Sequence, residues 1–169
     1  MLNIINSRRS VRVWTQQPVL EEDVHKIIEA GMNAPSAGNE QPWYFIVVND
    51  REILAKASLL NPHGGFVKNA AVAILLCADL RLERSPGYWV QDCSAAAENM
   101  LLASHALGIG AVWTSVYPIE ERMRGFSSLF NLPEEVIPFA LIPLGYSARA
   151  TDCPKSRFNP SRIFRNRWE

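Results

Sequence analysis

The segment WVQDCSAAAENMLLASHALGIG, residues 89–110, has the strongest helical pattern of this 169-residue chain. Its apolar residues recur mostly at spacings of three and four, which is typical of a helix with one buried face. That face contains Cys93, Ala96, Ala97, Met100, Leu101 and Leu107. The two glycines at its end favour a helix C-terminus followed by a tight turn. The pattern therefore predicts a long helix over residues 89–107 that packs against the rest of the fold.

Shorter helices and strands alternate on both sides of this helix. Before it, hydrophobic periodicity and turn residues predict helices over 1–7, 20–31 and 50–60 and strands over 43–49 and 71–77. After it, they predict a strand over 111–115, a helix over 119–129, a buried strand over 136–144 and an extended, Arg-rich segment over 153–169. This alternation indicates a single α+β domain, residues 1–169, with a central sheet.

The composition is that of a folded protein, but its charge is unevenly distributed. Hydrophobic residues make up 48% of the chain, and 17 basic residues balance 17 acidic ones. The zero net charge excludes a nucleic-acid binder that works by bulk positive charge. Residues 1–12 and 155–169 nevertheless carry seven net positive charges between them. The two ends are therefore basic and the body of the chain is acidic.

The cysteines and the apolar runs indicate a reduced protein outside the membrane. Cys77, Cys93 and Cys153 are odd in number and form no Cys-x-x-Cys motif, which fits free thiols. The apolar runs fall short of the roughly 20 residues that a membrane helix needs, and residues 1–9 do not resemble a signal peptide. The three histidines are scattered, so we expect no metal site. The sequence predicts a cytoplasmic protein with no membrane or nucleic-acid partner.

Arginines cluster in the motif RRSVR, residues 8–12. Arg8, Arg9 and Arg12, together with the Ser10 hydroxyl and the backbone amides, are the donors that a phosphate monoester requires. A second basic cluster, Lys155-Ser156-Arg157, lies at the far end of the chain. From these residues alone, the two clusters are either parts of one anion site or solvated basic turns.

Two further motifs concern possible cofactors. The loop PSAGNEQPW, residues 35–43, is rich in small and amide residues, so it either approaches a planar heterocycle or only connects a helix to a strand. The Gly108-Ile109-Gly110 element is not a dinucleotide fingerprint, because it follows a helix and Trp113 occupies the place of the third glycine. The chain has neither a Gly-x-Ser-x-Gly motif nor a P-loop.

Taken in order, these motifs resemble the nitroreductase family of FMN-dependent oxidoreductases, in its short form. The matching segments are residues 8–12, 34–43, 92–110, 111–115, 142–146 and 154–157, which span nearly the whole chain. The resemblance implies an α+β fold with a central mixed, mainly antiparallel sheet flanked by helices. It also implies an intertwined homodimer with two FMN sites at the interface. The 89–107 helix would then be the central dimer helix, with Ser94, Ala95, Ala96 and Ala97 suited to close packing.

The resemblance also assigns cofactor-binding residues. Arg8, Arg9, Ser10 and Arg12 would hold the FMN phosphate and ribityl chain, with Lys155 and Arg157 closing on the same phosphate. Pro35, Ser36, Ala37, Asn39 and Gln41 would approach the flavin from the other subunit. Trp113, Thr114 and Ser115 would run beside the isoalloxazine, with backbone amides near N5 and O4.

The implied activity is that of an FMN-dependent NAD(P)H oxidoreductase. NADH or NADPH would deliver hydride to flavin N5, and a nitroaromatic, quinone or similar small-molecule acceptor would follow in a ping-pong mechanism. The flavin carries the chemistry, so no catalytic side chain is implied. The 80–91 stretch is shorter than in well-studied members, which predicts a more open pocket with Tyr88 and Trp89 as candidates for stacking on the substrate.

Three alternatives remain open at this level. The chain could bind or store flavin without turnover, or it could be a family member with different flavin chemistry. It could also be a structural α+β module whose basic ends bind nothing.

Overall fold

Five helices and five strands occupy residues 1–150 and 156–168, the part of the chain that the computed structural model describes. The helices are α1 (Leu2–Ser7), α2 (Glu21–Met32), α3 (Arg51–Leu59), α4 (Trp89–Ala106) and α5 (Glu120–Phe130). The strands are β1 (Trp43–Val48), β2 (Val72–Asp79), β3 (Gly110–Ala111), β4 (Thr114–Ser115) and β5 (Val136–Gly145). Single turns of 3-10 helix lie at Ala37–Asn39, Val67–Asn69, Leu80–Leu82 and Pro160–Arg162.

The strands form one sheet in the order β1-β2-β5-β3, and β4 also pairs with β5. All pairings between these strands are antiparallel. The parallel contact is an isolated bridge between Ser10 and Ala111. The predicted mixed, mainly antiparallel sheet flanked by helices is confirmed. Strand β1 lies at one edge, and β3 and β4 share the opposite edge.

The predicted continuous strand over residues 111–115 is wrong, because the structure divides it into β3 and β4. Gly110 pairs with Gly145 and Thr114 pairs with Leu141, so both pieces keep one register along β5. The interruption at residues 112–113 therefore faces Pro143 and its neighbour. Proline has no N–H to donate to a ladder, which accounts for the break in regular pairing.

Each face of the sheet carries its own hydrophobic core. Strand β2 is buried along its whole length, and its side chains alternate between the two faces. Ile74 and Leu76 pack with α2 and α4, whereas Leu75 packs with α3 and α5. This three-layer arrangement leaves the ends of the strands and the connecting loops available for a binding site.

Local signals define several of the element ends. Asp50 caps α3, since its Oδ1 accepts hydrogen bonds from the backbone N–H of Glu52 at 2.8 Å and of Ile53 at 2.9 Å. Helix α4 ends at Ala106, and the turn that follows contains Gly108, as predicted. The C-terminal segment, residues 156–168, is exposed and contains one 3-10 turn, whereas the sequence predicted only extended chain there.

Candidate functional site

The arginine segment, residues 8–14, is held against the β3 edge of the sheet. The Val11 N–H donates to Ala111 O at 3.0 Å. Further along, the buried Trp14 donates its indole N–H to Gly110 O at 2.9 Å. Val11 and Trp14 point into the body of the protein, whereas Ser10 and Arg12 on either side of Val11 are exposed. The local sequence thus presents polar side chains on a rigid edge.

Gly110 allows this close approach. A Cβ atom at residue 110 would lie 2.7 Å from Val11 Cγ1, closer than two carbon atoms can pack. A side chain there would push the arginine segment away from the sheet. The glycine thereby sets the position of the arginines.

Two neighbouring cavities, of about 420 and 680 Å³, open beside the arginine segment. Arg9 and Arg157 line both of them. Ser10, Arg12, Ser147 and Arg149 complete the polar lining of the smaller cavity. Arg8, Glu98 and Ser156 line the larger one. The structure therefore brings the two basic ends of the chain together, while Lys155 lies outside the described residues.

The arginines make different contacts within this site. Arg8 Nε lies 3.7 Å from Glu98 Oε1 of α4. Arg9 donates from Nη1 to the carbonyl oxygens of Arg8 and Asn6. The guanidinium of Arg12 lies 5.7 Å from the centre of the Phe66 ring, which is a cation–π distance. An anion bound here would compete with the Glu98 carboxylate for Arg8 and would otherwise face positively charged side chains.

Arg149 and His105 belong to this region but were missed from the sequence. Both line a third cavity, of about 320 Å³, beside Arg8 and Arg9. His105 Nε2 lies 2.7 Å from Ser7 Oγ, which itself donates to Asn3 O at 2.6 Å, so the histidine fastens α1 to α4. Neither residue stands in a charge cluster in the sequence. Their place in this region becomes visible only in the fold, where His105 lies in the last turn of α4 and Arg149 follows the end of β5.

The 36–41 loop, which includes most of the predicted second flavin contact, lies at the start of α4. The Ala37 N–H donates to Asp92 Oδ1 at 3.0 Å. Asn39 and Gln41 are exposed, and Gln41 Nε2 donates to Asn39 Oδ1 at 2.9 Å. The cavities beside the arginine segment are lined by none of the predicted loop residues, which are Pro35, Ser36, Ala37, Asn39 and Gln41.

The predicted isoalloxazine segment, Trp113 to Ser115, lies on the open β4 edge. Ser115 O accepts hydrogen bonds from Asn61 Nδ2 at 3.5 Å and from Arg122 Nη1 at 3.1 Å, both outside the sheet. Trp113 packs edge-on against Phe139, with ring centres 5.5 Å apart. Thr114 is buried, and its Oγ1 has no hydrogen-bond partner among the described residues.

The two candidate stacking residues differ in exposure. Tyr88 is 49% exposed at the start of α4. Trp89 is 8% exposed and packs edge-on against Tyr117, with ring centres 4.8 Å apart. Trp89 therefore belongs to the core, and Tyr88 is the better placed of the two to meet a substrate.

Other chemistries find little support in the part of the chain that the structure describes. Cys77 and Cys93 are free and buried, and burial raises the pKa of the Cys77 thiol to about 12. Among residues 1–150 and 156–168, no cluster of three histidine, cysteine or acidic side chains could hold a metal ion. Within the same residues, no helix is long and apolar enough to span a membrane.

The fold and the motif set define a class of α+β oxidoreductases, and comparison with known proteins identifies the family. Residues 5–61 and 55–146 match the model of the Nitroreductase family. This chain belongs to the nitroreductase family. The family resemblance and the prediction of an oxidoreductase are thereby confirmed.

Relatives at several levels of sequence identity align with nearly the whole of this chain. A protein of Methanothermobacter thermautotrophicus named "Putative NADH dehydrogenase/NAD(P)H nitroreductase" is 51% identical over 99% of this chain and 87% of its own length. A crystal structure from Parabacteroides distasonis under the same name is 39% identical, with a TM-score of 0.94 over 99% of this chain and 98% of its own. A "putative nitroreductase in complex with fmn" from Desulfovibrio desulfuricans is 31% identical, with a TM-score of 0.81 over 99% and 97% of the two chains.

Proposed function

We propose that this protein is an FMN-dependent NAD(P)H oxidoreductase whose arginine segment binds the FMN phosphate. The observation that carries the proposal is the meeting of Arg9 and Arg12 with Arg157, from opposite ends of the chain, around one cavity. Guanidinium groups form forked, charge-assisted hydrogen bonds to phosphate oxygens. The donor set therefore fits a phosphate monoester, and a relative of 31% identity is a complex with FMN.

Arg8 joins this phosphate site by leaving Glu98 and binding the phosphate instead. Its guanidinium lies close to Glu98 at the mouth of the larger cavity. A phosphate carries more negative charge than a carboxylate and offers more acceptor oxygens, so it competes well for the same guanidinium. We assign Arg8, Arg9, Ser10, Arg12 and Arg157 to phosphate and ribityl binding, and Lys155 to the same role on the resemblance alone.

The β4 edge suits the isoalloxazine ring. Backbone groups along an antiparallel strand point alternately towards and away from the neighbouring strand. Ala111 O accepts from Val11, and Ser115 O accepts from side chains outside the sheet, so these residues and Trp113 between them direct their backbone groups away from β5. The outward amides of Trp113 and Ser115 are the donors that we place near N5 and O4. When bound, FMN supplies the hydride-accepting chemistry, and the protein supplies binding, orientation and electrostatics.

The reductant and the acceptor would use one open pocket in turn. NADH or NADPH binds first and leaves, and a nitroaromatic, quinone or similar acceptor then enters, which gives ping-pong kinetics. The half-exposed Tyr88 is the side chain that we place against the ring of either partner. No acid or base side chain is assigned to the reaction.

A second copy of the chain would complete the site. The three cavities that the described residues form beside the arginine segment contain no residue of the 36–41 loop, which supports an intertwined homodimer in which the loop serves the partner's flavin. Large apolar side chains are exposed on the C-terminal segment, among them Phe158 at 74% and Trp168 at 83%, and such patches mark interaction surfaces. Of the small residues on α4, Ala96 and Ala97 are already buried within one chain. The dimer contact would therefore rely more on the exposed C-terminal segment than on α4.

The chain as a whole fits this role as one FMN-binding domain of residues 1–169. Its buried free thiols, Cys77 and Cys93, agree with a reducing cytoplasmic setting.

The visible spectrum of the pure protein tests the proposal directly. We expect a yellow protein, or one that becomes yellow with added FMN, whose flavin band bleaches on anaerobic addition of NADH or NADPH. A flavin band that neither nucleotide bleaches would instead indicate a flavin-binding or storage protein. A colourless protein that takes up no FMN would indicate a structural module.

A further inference from the structure

The 36–41 loop has an unusual backbone. Gly38, Asn39 and Gln41 have φ angles of 53°, 56° and 52°, which lie in the left-handed region. Residues with a Cβ atom avoid this region because Cβ crowds the neighbouring carbonyl. Glycine adopts it freely, and asparagine tolerates it better than most other residues. Such a conformation persists only where the surrounding structure enforces it.

Hydrogen bonds within the loop account for part of its shape. The Asn39 N–H donates to Ser36 O at 3.1 Å, and the Glu40 N–H donates to Ala37 O at 3.0 Å. The Gln41 N–H donates to Ser36 Oγ at 3.1 Å. These bonds close two consecutive turns, but they do not fix the loop relative to the rest of the protein.

Asp92 fixes the first half of the loop. It stands in the first turn of α4, it is 5% exposed, and its Oδ1 accepts the Ala37 N–H at 3.0 Å. Its second oxygen, Oδ2, is buried with no hydrogen-bond partner among the described residues. A buried acceptor without a partner is unfavourable for folding. The N-terminal end of the α4 dipole and the Ala37 N–H both favour a carboxylate at this place, and only the second of these interactions reaches the loop.

Glu40 fixes the second half of the loop from within it. Its side chain is 2% exposed, and its two oxygens accept from the Arg84 N–H at 2.9 Å and from Ser85 Oγ at 3.0 Å. The Arg84 N–H lowers the pKa of Glu40, so the carboxylate is the form present at neutral pH. Arg84 also donates from Nη2 to Gly38 O at 3.1 Å. Arg84 and Ser85, which follow β2, thus hold the loop through three hydrogen bonds.

We propose that Asp92 and Glu40 are positioning residues that hold the 36–41 loop in its left-handed conformation and so present Asn39 and Gln41 to the flavin. The proposal rests on the proposed FMN function. A loop that is ordered before binding loses little conformational entropy when the cofactor arrives, which favours affinity. Asp92 and Glu40 act through the loop, and neither touches the cofactor itself.

Substitutions at Asp92 separate positioning from general stability. Asp92→Asn keeps an acceptor for the Ala37 N–H, whereas Asp92→Ala removes it. Cys93→Ala is the matched control, because Cys93 is buried in the same turn of α4 and belongs to the hydrophobic core rather than to the loop. Two readouts are needed: hydrogen exchange of the 36–41 amides in the FMN-free protein, and FMN affinity from quenching of flavin fluorescence.

We expect Asp92→Ala to speed exchange of the loop amides and to weaken FMN binding about tenfold, the order of one hydrogen bond to a charged group. In Asp92→Asn, the exchange rates of the loop amides and the FMN affinity should both stay near those of the unchanged protein. Cys93→Ala should lower the melting temperature and leave both values unchanged. Equal effects of Asp92→Ala and Cys93→Ala, or no effect of Asp92→Ala, would overturn the proposal.

A second pair of variants covers the case in which Asp92→Ala does not fold. Glu40→Gln keeps one acceptor oxygen for the Arg84 N–H, and its NH2 group can donate to Ser85 Oγ. Glu40→Ala removes both contacts, so it should loosen the loop and weaken FMN binding more than Glu40→Gln does. Unchanged exchange and affinity in Glu40→Ala would contradict the proposal. If the unchanged protein binds no FMN, the proposed function fails first and the positioning role fails with it. Normal FMN binding in all four variants overturns the positioning role alone.

Discussion

The arginine segment and the 36–41 loop are both proposed to contact FMN, yet they are built by opposite means. The arginine segment is an extended edge whose backbone pairs with β3, and its long charged side chains do the binding. The loop is a left-handed turn, and the carboxylates of Asp92 and Glu40 hold its backbone. Charge thus comes from side chains on an extended segment, whereas the amide contacts come from Asn39 and Gln41, whose backbone needs external support. Loss of one arginine leaves the other positive charges in place, whereas loss of one of the two carboxylates removes a contact that holds the loop.

Removal of the two arginines should have the largest effect. The double variant Arg8→Ala/Arg157→Ala should weaken FMN binding at least about 100-fold, because each charge-assisted bond contributes about 1.5–3 kcal/mol. Fluorescence titration at two salt concentrations measures the loss. The control is Lys56→Ala/Arg124→Ala, which removes two exposed charges from α3 and α5. Unchanged FMN affinity in the double arginine variant would show that the phosphate binds elsewhere.

The role of the dimer is tested at the C-terminal segment. Phe164 and Trp168 stack there with ring centres 4.6 Å apart, and both are exposed in one chain. Phe164→Ser/Trp168→Ser should weaken dimerisation at least about 30-fold in sedimentation measurements, the scale of an aromatic anchor in an interface. Leu59→Ser, at an exposed apolar residue of α3, should leave dimerisation unchanged.

The same double variant distinguishes the two binding regions. If the loop serves the partner's flavin, then Asn39→Ala should weaken FMN binding in the dimer and have no effect in the dissociated protein. Arg8→Ala should weaken binding in both. An effect of Asn39→Ala that survives dissociation would place the loop and the arginines at one flavin within a single chain.

The two regions also differ in how far the sequence could predict them. Arg8, Arg9, Arg12 and Arg157 stand in charge clusters, so their chemistry is visible without a fold, although only the structure shows that the clusters meet. Asp92 sits in a helical pattern and gives no sign of its contact with Ala37, which is 55 positions away. The same holds for the strand break after Ala111, which depends on a proline in β5. Long-range partners, more than residue types, limited the prediction.

The packing that supports the backbone of the arginine segment can be tested by adding a single Cβ atom at residue 110. Gly110→Ala would place a Cβ atom 2.7 Å from Val11 Cγ1. Such overpacking usually lowers the free energy of unfolding by about 1–3 kcal/mol. Displacement of the segment should also weaken FMN binding. Gly65→Ala is the control, because among the described residues no atom beyond its two chain neighbours lies within 4 Å of the new Cβ. Urea unfolding of both variants provides the comparison, and equal stability of the two would argue against close packing at Gly110.

The smallest expected change is an increase in FMN affinity. Glu98→Gln removes the carboxylate that lies 3.7 Å from Arg8 Nε and leaves the shape of the larger cavity nearly unchanged. Exposed ion pairs contribute about 0.2–1 kcal/mol, so a phosphate that no longer competes for Arg8 should bind about 1.5- to 5-fold more tightly. The gain should shrink at high salt, because screening weakens the pair in the unchanged protein. Glu121→Gln on α5 is the matched control and should leave affinity unchanged. Weaker FMN binding in Glu98→Gln would mean that Glu98 orients Arg8 for the phosphate, which would give this arginine the external carboxylate support that otherwise distinguishes the loop.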